Sequence, residues 1–182
     1  MRPLSSLLIF WALQASFHAY SADLSYALTP DLAAAEQHII NGTSAYINQN
    51  GYGNTSLIEQ SGSFVGNFAN IEQTGSNNWA KTVQIGDLNF VNINQYGNDN
   101  YANAEQRGSS NSIILTQALN GNQFNGVQNG NNNIFNATQN GNSLIGMSAQ
   151  GNGNSINANM PAGTNYQINI IGDNVKASSV GQ

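Results

Sequence analysis

The sequence predicts an all-β chain, a β-solenoid of stacked strand-turn-strand coils whose two parallel sheets face each other. Three observations predict it. The first is a fixed period: Gln49, Gln60, Gln73, Gln84, Gln95, Gln106, Gln117, Gln128, Gln139 and Gln150 are 11 residues apart in eight of nine intervals and 13 apart in the other. The second is alternation of side-chain character between recurrences, which places successive residues on opposite faces of a strand. The third is a Gly-containing polar stretch after most glutamines, built from residues that tolerate positive φ and reverse the chain.

Each unit follows one frame. Asn54, Asn67, Asn78, Asn89, Asn100, Asn111, Asn122 and Asn133 stand six residues before the next Gln, and Gly51, Gly62, Gly75, Gly86, Gly97, Gly108, Gly130 and Gly141 stand two after one. Asn89, Val91, Ile93 and Gln95 share one parity, with Phe90, Asn92 and Asn94 on the other. A unit is thus a seven-residue strand and a four-residue turn. One such strand cannot bury its inner face, so two units form a 22-residue coil and coils stack at the ~4.8 Å strand spacing. This geometry divides the glutamines into two inward columns, Gln49 to Gln139 and Gln60 to Gln150, by alternate members. A buried amide without a partner costs about 1–3 kcal/mol, whereas amides stacked in register can donate one way and accept the other.

The frame weakens toward the C-terminus. Asn154 and Asn165 keep the spacing, but Met160 and Ile171 stand where Gln is expected, and Pro161 follows. With a starting unit at Thr43 to Gln49, twelve half-coils make about six coils over residues 43–171, leaving a tail at 172–182. The 13-residue interval predicts a longer turn at Ser63 to Gly66.

Composition narrows the function. Of 182 residues, 32 are Asn, 15 Gln and 19 Gly, while only 7% are charged. The net charge of −5 argues against a nucleic-acid binder working through a basic patch. The absence of Cys removes disulfides, thiolate metal sites and cysteine nucleophiles. No catalytic, metal or cofactor site is expected. His38 stands without a partner in the frame, and Glu59, Glu72, Asp87, Asp99 and Glu105 fall on outward or turn positions. Calcium-binding solenoids place an Asp in every turn, whereas only Asp87 and Asp99 occupy turns here. Outward Tyr46, Trp79, Phe90 and Tyr101 are candidates for contact with sugars or neighbouring filaments.

Before the repeats, Arg2 and the apolar run from Leu4 to Leu13 resemble an export signal ending near Ser21, too short to span a bilayer. Residues 1–21 are assigned to this signal and 22–42 to an unrepeated segment, with no stable membrane span. Soluble repeat proteins cap their terminal rungs. Here only Leu32 to Ile40 suggests a short capping helix, so both ends are expected to be open and able to template a neighbour.

The frame Ala-x-Ile-x-Gln-x-Gly-x-x-Asn at Ala45 to Asn54, with a related form at Ala69 to Asn78, resembles the curlin repeat of the curli amyloid subunits of Gram-negative bacteria. The resemblance spans roughly residues 43 to 160. It departs at Leu119, which replaces the turn Gly, and in the last two units, which lack Gln. It implies a subunit exported through the periplasm and an outer-membrane secretion pore with its accessory factors. At the cell surface such a subunit assembles with itself and a companion curli subunit into adhesive fibres of the biofilm matrix. By position, residues 22–41 would then be the segment read by the secretion machinery. Gln-x-Gly-x-x-Asn in both half-coils and the irregular C-terminal unit resemble the minor, nucleating subunit. The alternatives are the major fibre subunit and a monomeric solenoid that binds ice or glycans. The mixed outward residues Trp79, Lys81, Phe90 and Glu105 do not form the flat Thr array that suits ice.

Overall fold

The computed structural model describes residues 16–22, 36–40, 43–62 and 66–180, and within these it contains strands and turns but no helix. The strands are β1 (Ser16–Ala22), β2 (Glu36–Ile40), β3 (Thr43–Tyr52), β4 (Thr55–Ser61), β5 (Phe68–Ser76), β6 (Trp79–Ile85), β7 (Phe90–Tyr96) and β8 (Tyr101–Arg107). They continue with β9 (Ser112–Ala118), β10 (Gln123–Asn129), β11 (Ile134–Asn140), β12 (Leu144–Gln150), β13 (Ser155–Met160), β14 (Asn165–Ile171) and β15 (Lys176–Val180). From β3 onward the strands alternate between two sheets, β4-β6-β8-β10-β12-β14 and β3-β5-β7-β9-β11-β13-β15, all paired in parallel. Each strand therefore pairs with the strand one coil away, while its sequence neighbour lies in the facing sheet. This is the expected β-solenoid of about six coils.

Strict alternation of buried and accessible residues sets the register. In β7, Val91, Ile93 and Gln95 are buried while Phe90 and Tyr96 are exposed, and Ile93 lies between Ile71 and Leu115 of the adjacent coils. A one-residue slip would turn the whole inner set outward, so the inner face fixes the pairing. The core between the sheets is narrow and fills by trading volume along each column. Phe124 is fully buried beside Gly126, where an added Cβ would lie 2.6 Å from the Phe124 ring, and Phe135 shares its strand's inner face with Ala137.

The repeat reaches further than expected at the C-terminus. Lys176–Val180 pairs in parallel with β13, so thirteen strands rather than twelve belong to the stack, and sheet pairing continues past residue 171. The expectation of two open ends also needs correction. At the N-terminal end β2 pairs antiparallel with β3, and β1 pairs antiparallel with β4, so both first-coil edges are covered. Residues 36–40 form this covering strand instead of a capping helix, and 32–35 lie outside the described residues. At the other end β14 and β15 are the last strands of their sheets. The signal expected at 1–21 lies outside the described residues up to residue 15, and 16–21 belong to β1. The longer turn expected at Ser63 to Gly66 lies partly outside them. The pairing of Gln49 with Gln73 and of Gln60 with Gln84 does place its two extra residues between these strands.

Candidate functional site: two amide columns

The inward side chain near the end of each strand carries the principal polar feature of the interior. In one sheet Gln49, Gln73, Gln95, Gln117 and Gln139 stand in register; in the other, Gln60, Gln84, Gln106 and Gln128. All nine are buried. The amides share one polarity: each Nε2 donates to the Oε1 of the glutamine one coil nearer the C-terminus. Gln49 donates to Gln73 at 2.7 Å, Gln73 to Gln95 at 2.7 Å, Gln95 to Gln117 at 2.8 Å and Gln117 to Gln139 at 2.9 Å. In the facing column Gln60 donates to Gln84 at 2.7 Å, Gln84 to Gln106 at 3.0 Å and Gln106 to Gln128 at 2.9 Å.

The second Nε2 hydrogen was not foreseen. It crosses the core to the backbone carbonyl of the first strand residue in the facing sheet. Gln95 reaches Trp79 O at 3.0 Å, Gln84 reaches Phe68 O at 3.0 Å and Gln117 reaches Tyr101 O at 2.9 Å. One carboxamide thus ties neighbouring coils together and ties the two sheets to each other. Leu or Met can fill the space but cannot make either link.

The asparagines form a parallel system at the strand entrances. Asn54, Asn78, Asn100 and Asn122 form one column, and Asn67, Asn89, Asn111 and Asn133 the other, all buried. Asn78 shows the pattern. Its backbone N–H and its Nδ2 donate to Asn54 Oδ1 at 3.0 and 3.1 Å, and the same Nδ2 donates to Gly97 O at 2.8 Å. That acceptor explains the turn glycine. Gly75 has φ +119°, and a Cβ there would lie 2.0 Å from Gly97 O in the next coil. Gly51, Gly86, Gly97, Gly108 and Gly130 stand the same way beneath a carbonyl. Gly62 lies beneath Gly86 O, and Gly141 lies against Leu119 at φ +75°. Leu119 takes the glycine position at φ +66° with its side chain in solvent, and its carbonyl still accepts from Asn100 Nδ2 at 2.8 Å.

The columns stop before the C-terminus, and here one sequence assignment is corrected. Gln150 is exposed, and Ala149 takes the column position opposite Gln128. The cause is the turn between β11 and β12, where Ser143 occupies the entrance position four residues after Gln139 instead of five and donates its backbone N–H to Asn122 Oδ1 at 3.3 Å. The turn is one residue shorter, so the 11-residue count lands one position late. The same shift puts Thr164 and Ile170 in the positions expected for Asn165 and Ile171, whereas Met160 does stand opposite Gln139. With no glutamine above it, Gln139 turns its Nε2 to Gln123 O and Ser143 O, both at 2.8 Å.

The outer faces carry short stacks. Trp79 and Tyr101 lie parallel with ring centroids 4.5 Å apart, and Phe68 and Phe90 are 5.1 Å apart, both within the range of favourable ring contacts. Asn70 donates to Asn92 Oδ1 at 2.9 Å. In the turns, Asn98 accepts from Ser76 N–H and donates its own N–H to Asn120 Oδ1, both at 2.8 Å. Glu59 lies 3.7 Å from Lys81, and Glu105 accepts from Arg107 Nε at 2.6 Å, both accessible pairs worth little to stability. Among the described residues no group of three His, Cys, Asp or Glu is placed to hold a metal ion. No helix among them is long and apolar enough to cross a membrane.

No curated protein and no solved structure matches the chain. A family model does: the curlin associated repeat matches residues 66–97, the stretch containing β5, β6 and β7 with Gln73, Gln84 and Gln95. Within it stand one complete coil, three column glutamines and three turn glycines, Gly75, Gly86 and Gly97, in the frame that the register carries through the neighbouring coils. Over residues 66–97 the chain carries a curlin associated repeat.

Proposed function

We propose that the chain is a structural subunit of a curli-type amyloid fibre that polymerises by stacking solenoid on solenoid, with no catalytic role. The observation that carries this reading is the pair of one-directional glutamine columns between parallel sheets. Each glutamine-bearing rung presents the same hydrogen-bonding surface to the next, so an added glutamine-bearing rung from another molecule would repeat an interaction already made inside the chain. β14 and β15, the last strands of their sheets, offer open backbone edges for such addition. Export through the periplasm and an outer-membrane pore, surface location, adhesion and a place in the biofilm matrix belong to the same proposal by the curlin resemblance. Loss of Gln from the C-terminal rungs favours the minor, nucleating role over that of the major subunit.

Fibre diffraction of the purified chain tests this. The reading expects a meridional reflection near ~4.8 Å, and sub-stoichiometric chain should remove the lag of a companion curlin-repeat subunit. The covered first coil favours a second reading, a monomeric solenoid binding a glycan or ice through its outer face. A chain that stays monomeric at high concentration over days and binds a glycan array would favour that reading and defeat the first.

A further inference from the structure

The two ends of the solenoid are chemically unlike. Throughout the columns Nε2 points toward the C-terminal end and Oε1 toward the N-terminal end. At the first rung this leaves Gln60 Oε1 facing the N-terminal end. It is buried in a residue only 2% exposed and has no hydrogen-bond partner. At the opposite end of the same sheet the column position is held by Ile170, after Ala149, and neither can donate a hydrogen bond. A second copy of this chain stacked head to tail would set a first-coil glutamine over Ile170 and leave its acceptor unsatisfied.

We propose that the N-terminal face is a docking surface for a different chain, a parallel solenoid whose last rung carries glutamine in the inward column, so that its Nε2 completes the bond Gln60 Oε1 lacks. This rests on the fibre-subunit reading above and adds its direction and its partner. The chain receives a glutamine-ended solenoid at its N-terminal face and is a poor partner for itself. β4, which carries Gln60, is covered on that side by antiparallel β1, which leaves the Oε1 unpaired. Residues 16–21 of β1 belong to the segment expected to be removed on export, so export would bare the β4 edge, while β2 continues to pair with β3.

The test gives this chain the missing donor at its own C-terminal end. Ile170 is in the last strand of its sheet, so Ile170→Gln and the near-isosteric Ile170→Glu, which has no donor at neutral pH, leave the inner coils untouched. Self-association is measured by sedimentation velocity on the full chain and on the chain recovered after export. Ile170→Gln should associate roughly tenfold more tightly than the unchanged chain or more in at least one of these forms, the effect of satisfying one buried acceptor. Ile170→Glu should show no gain, and adding Gln60→Leu to Ile170→Gln should remove it. Equal association of the Gln and Glu variants, or no gain from Gln in either form, overturns the proposal. Ready fibre growth by the unchanged chain at the rate of the Gln variant also overturns it while leaving the fibre reading standing. A chain that gives neither gain nor cross-β fibres defeats both.

Discussion

Replacing Gln95 by Leu removes a carboxamide from the middle of a column, and the structure gives the cost piece by piece. Gln73 Nε2 loses its acceptor at 2.7 Å but keeps Thr55 O at 3.2 Å, so it forfeits one ordinary hydrogen bond, about 0.5–1.5 kcal/mol. Gln117 Oε1 loses the donor at 2.8 Å and is left buried without a partner, at about 1–3 kcal/mol. The cross-core bond to Trp79 O also goes. Added apolar surface from Leu offsets part of this, so a net loss of about 2–4 kcal/mol is expected. Gln139→Leu is the internal control. It sits at the end of the same column, where Gln117 Nε2 keeps Tyr101 O and no further glutamine depends on Gln139 as a donor. Its own bonds to Gln123 O and Ser143 O go, but no glutamine Oε1 is orphaned, so its loss should be smaller, about 1–2 kcal/mol. Urea unfolding at concentrations where the chain stays monomeric, followed by circular dichroism, compares the two through midpoint and slope. Equal losses, or a loss at Gln95 below about 0.5 kcal/mol, would refute the idea that donors and acceptors are passed from coil to coil.

Other sites give independent tests by the same unfolding measurement. Gly126→Ala should destabilise by about 1–3 kcal/mol, because the new methyl meets the Phe124 ring, and Phe124→Leu should recover part of that loss in the double variant. Thr82 is fully buried in the apolar column with its hydroxyl unpaired, so Thr82→Val should stabilise by about 1 kcal/mol. Leu119→Gly should also stabilise, by about 1 kcal/mol, since an exposed Leu is held at φ +66° in a place where its neighbours use glycine; no change would show that the turn relaxes around it. Arg107→Ala should fall within about 0.5 kcal/mol of the unchanged chain despite its 2.6 Å contact to Glu105.

Period and parity made most of the fold legible. Once Gln, Asn and Gly recur in one frame, the strand length, the inward face, the 22-residue coil and the membership of nine of the ten glutamines in two columns follow from alternation. The turn glycine was explained only in part, by its tolerance of positive φ. Its further reason is the carbonyl of the next coil, as at Gly75 beneath Gly97 O, a contact between residues one coil apart in sequence. The Gln150 assignment failed because a count of 11 continued across a shortened turn. Parity carried the warning: Ile145, Met147 and Ala149 share one parity and are buried, whereas Gln150 shares the other with Gly146 and Ser148. An apolar face outranks a spacing when the two disagree. The same holds for Ile168 and Ile170 against Ile171. The antiparallel covering strands β1 and β2 were not legible because neither carries the repeat, and their pairing depends on the edges the repeat creates.

The central claim is that residues 22 apart are neighbours on one sheet while residues 11 apart lie on opposite sheets. The chain has no cysteine, so pairs of spin labels can be placed cleanly. Outward Asn92 pairs with Ile114 in the adjacent coil, and Asn103 lies on the facing sheet. Labels on Asn92 and Ile114 in the monomer should show strong spin exchange at about the ~4.8 Å rung spacing, and labels on Asn92 and Asn103 should lie beyond about 15 Å, across both sheets. Close approach of the 92–103 pair with a distant 92–114 pair would mean that consecutive strands form hairpins, and the stacked columns could not exist.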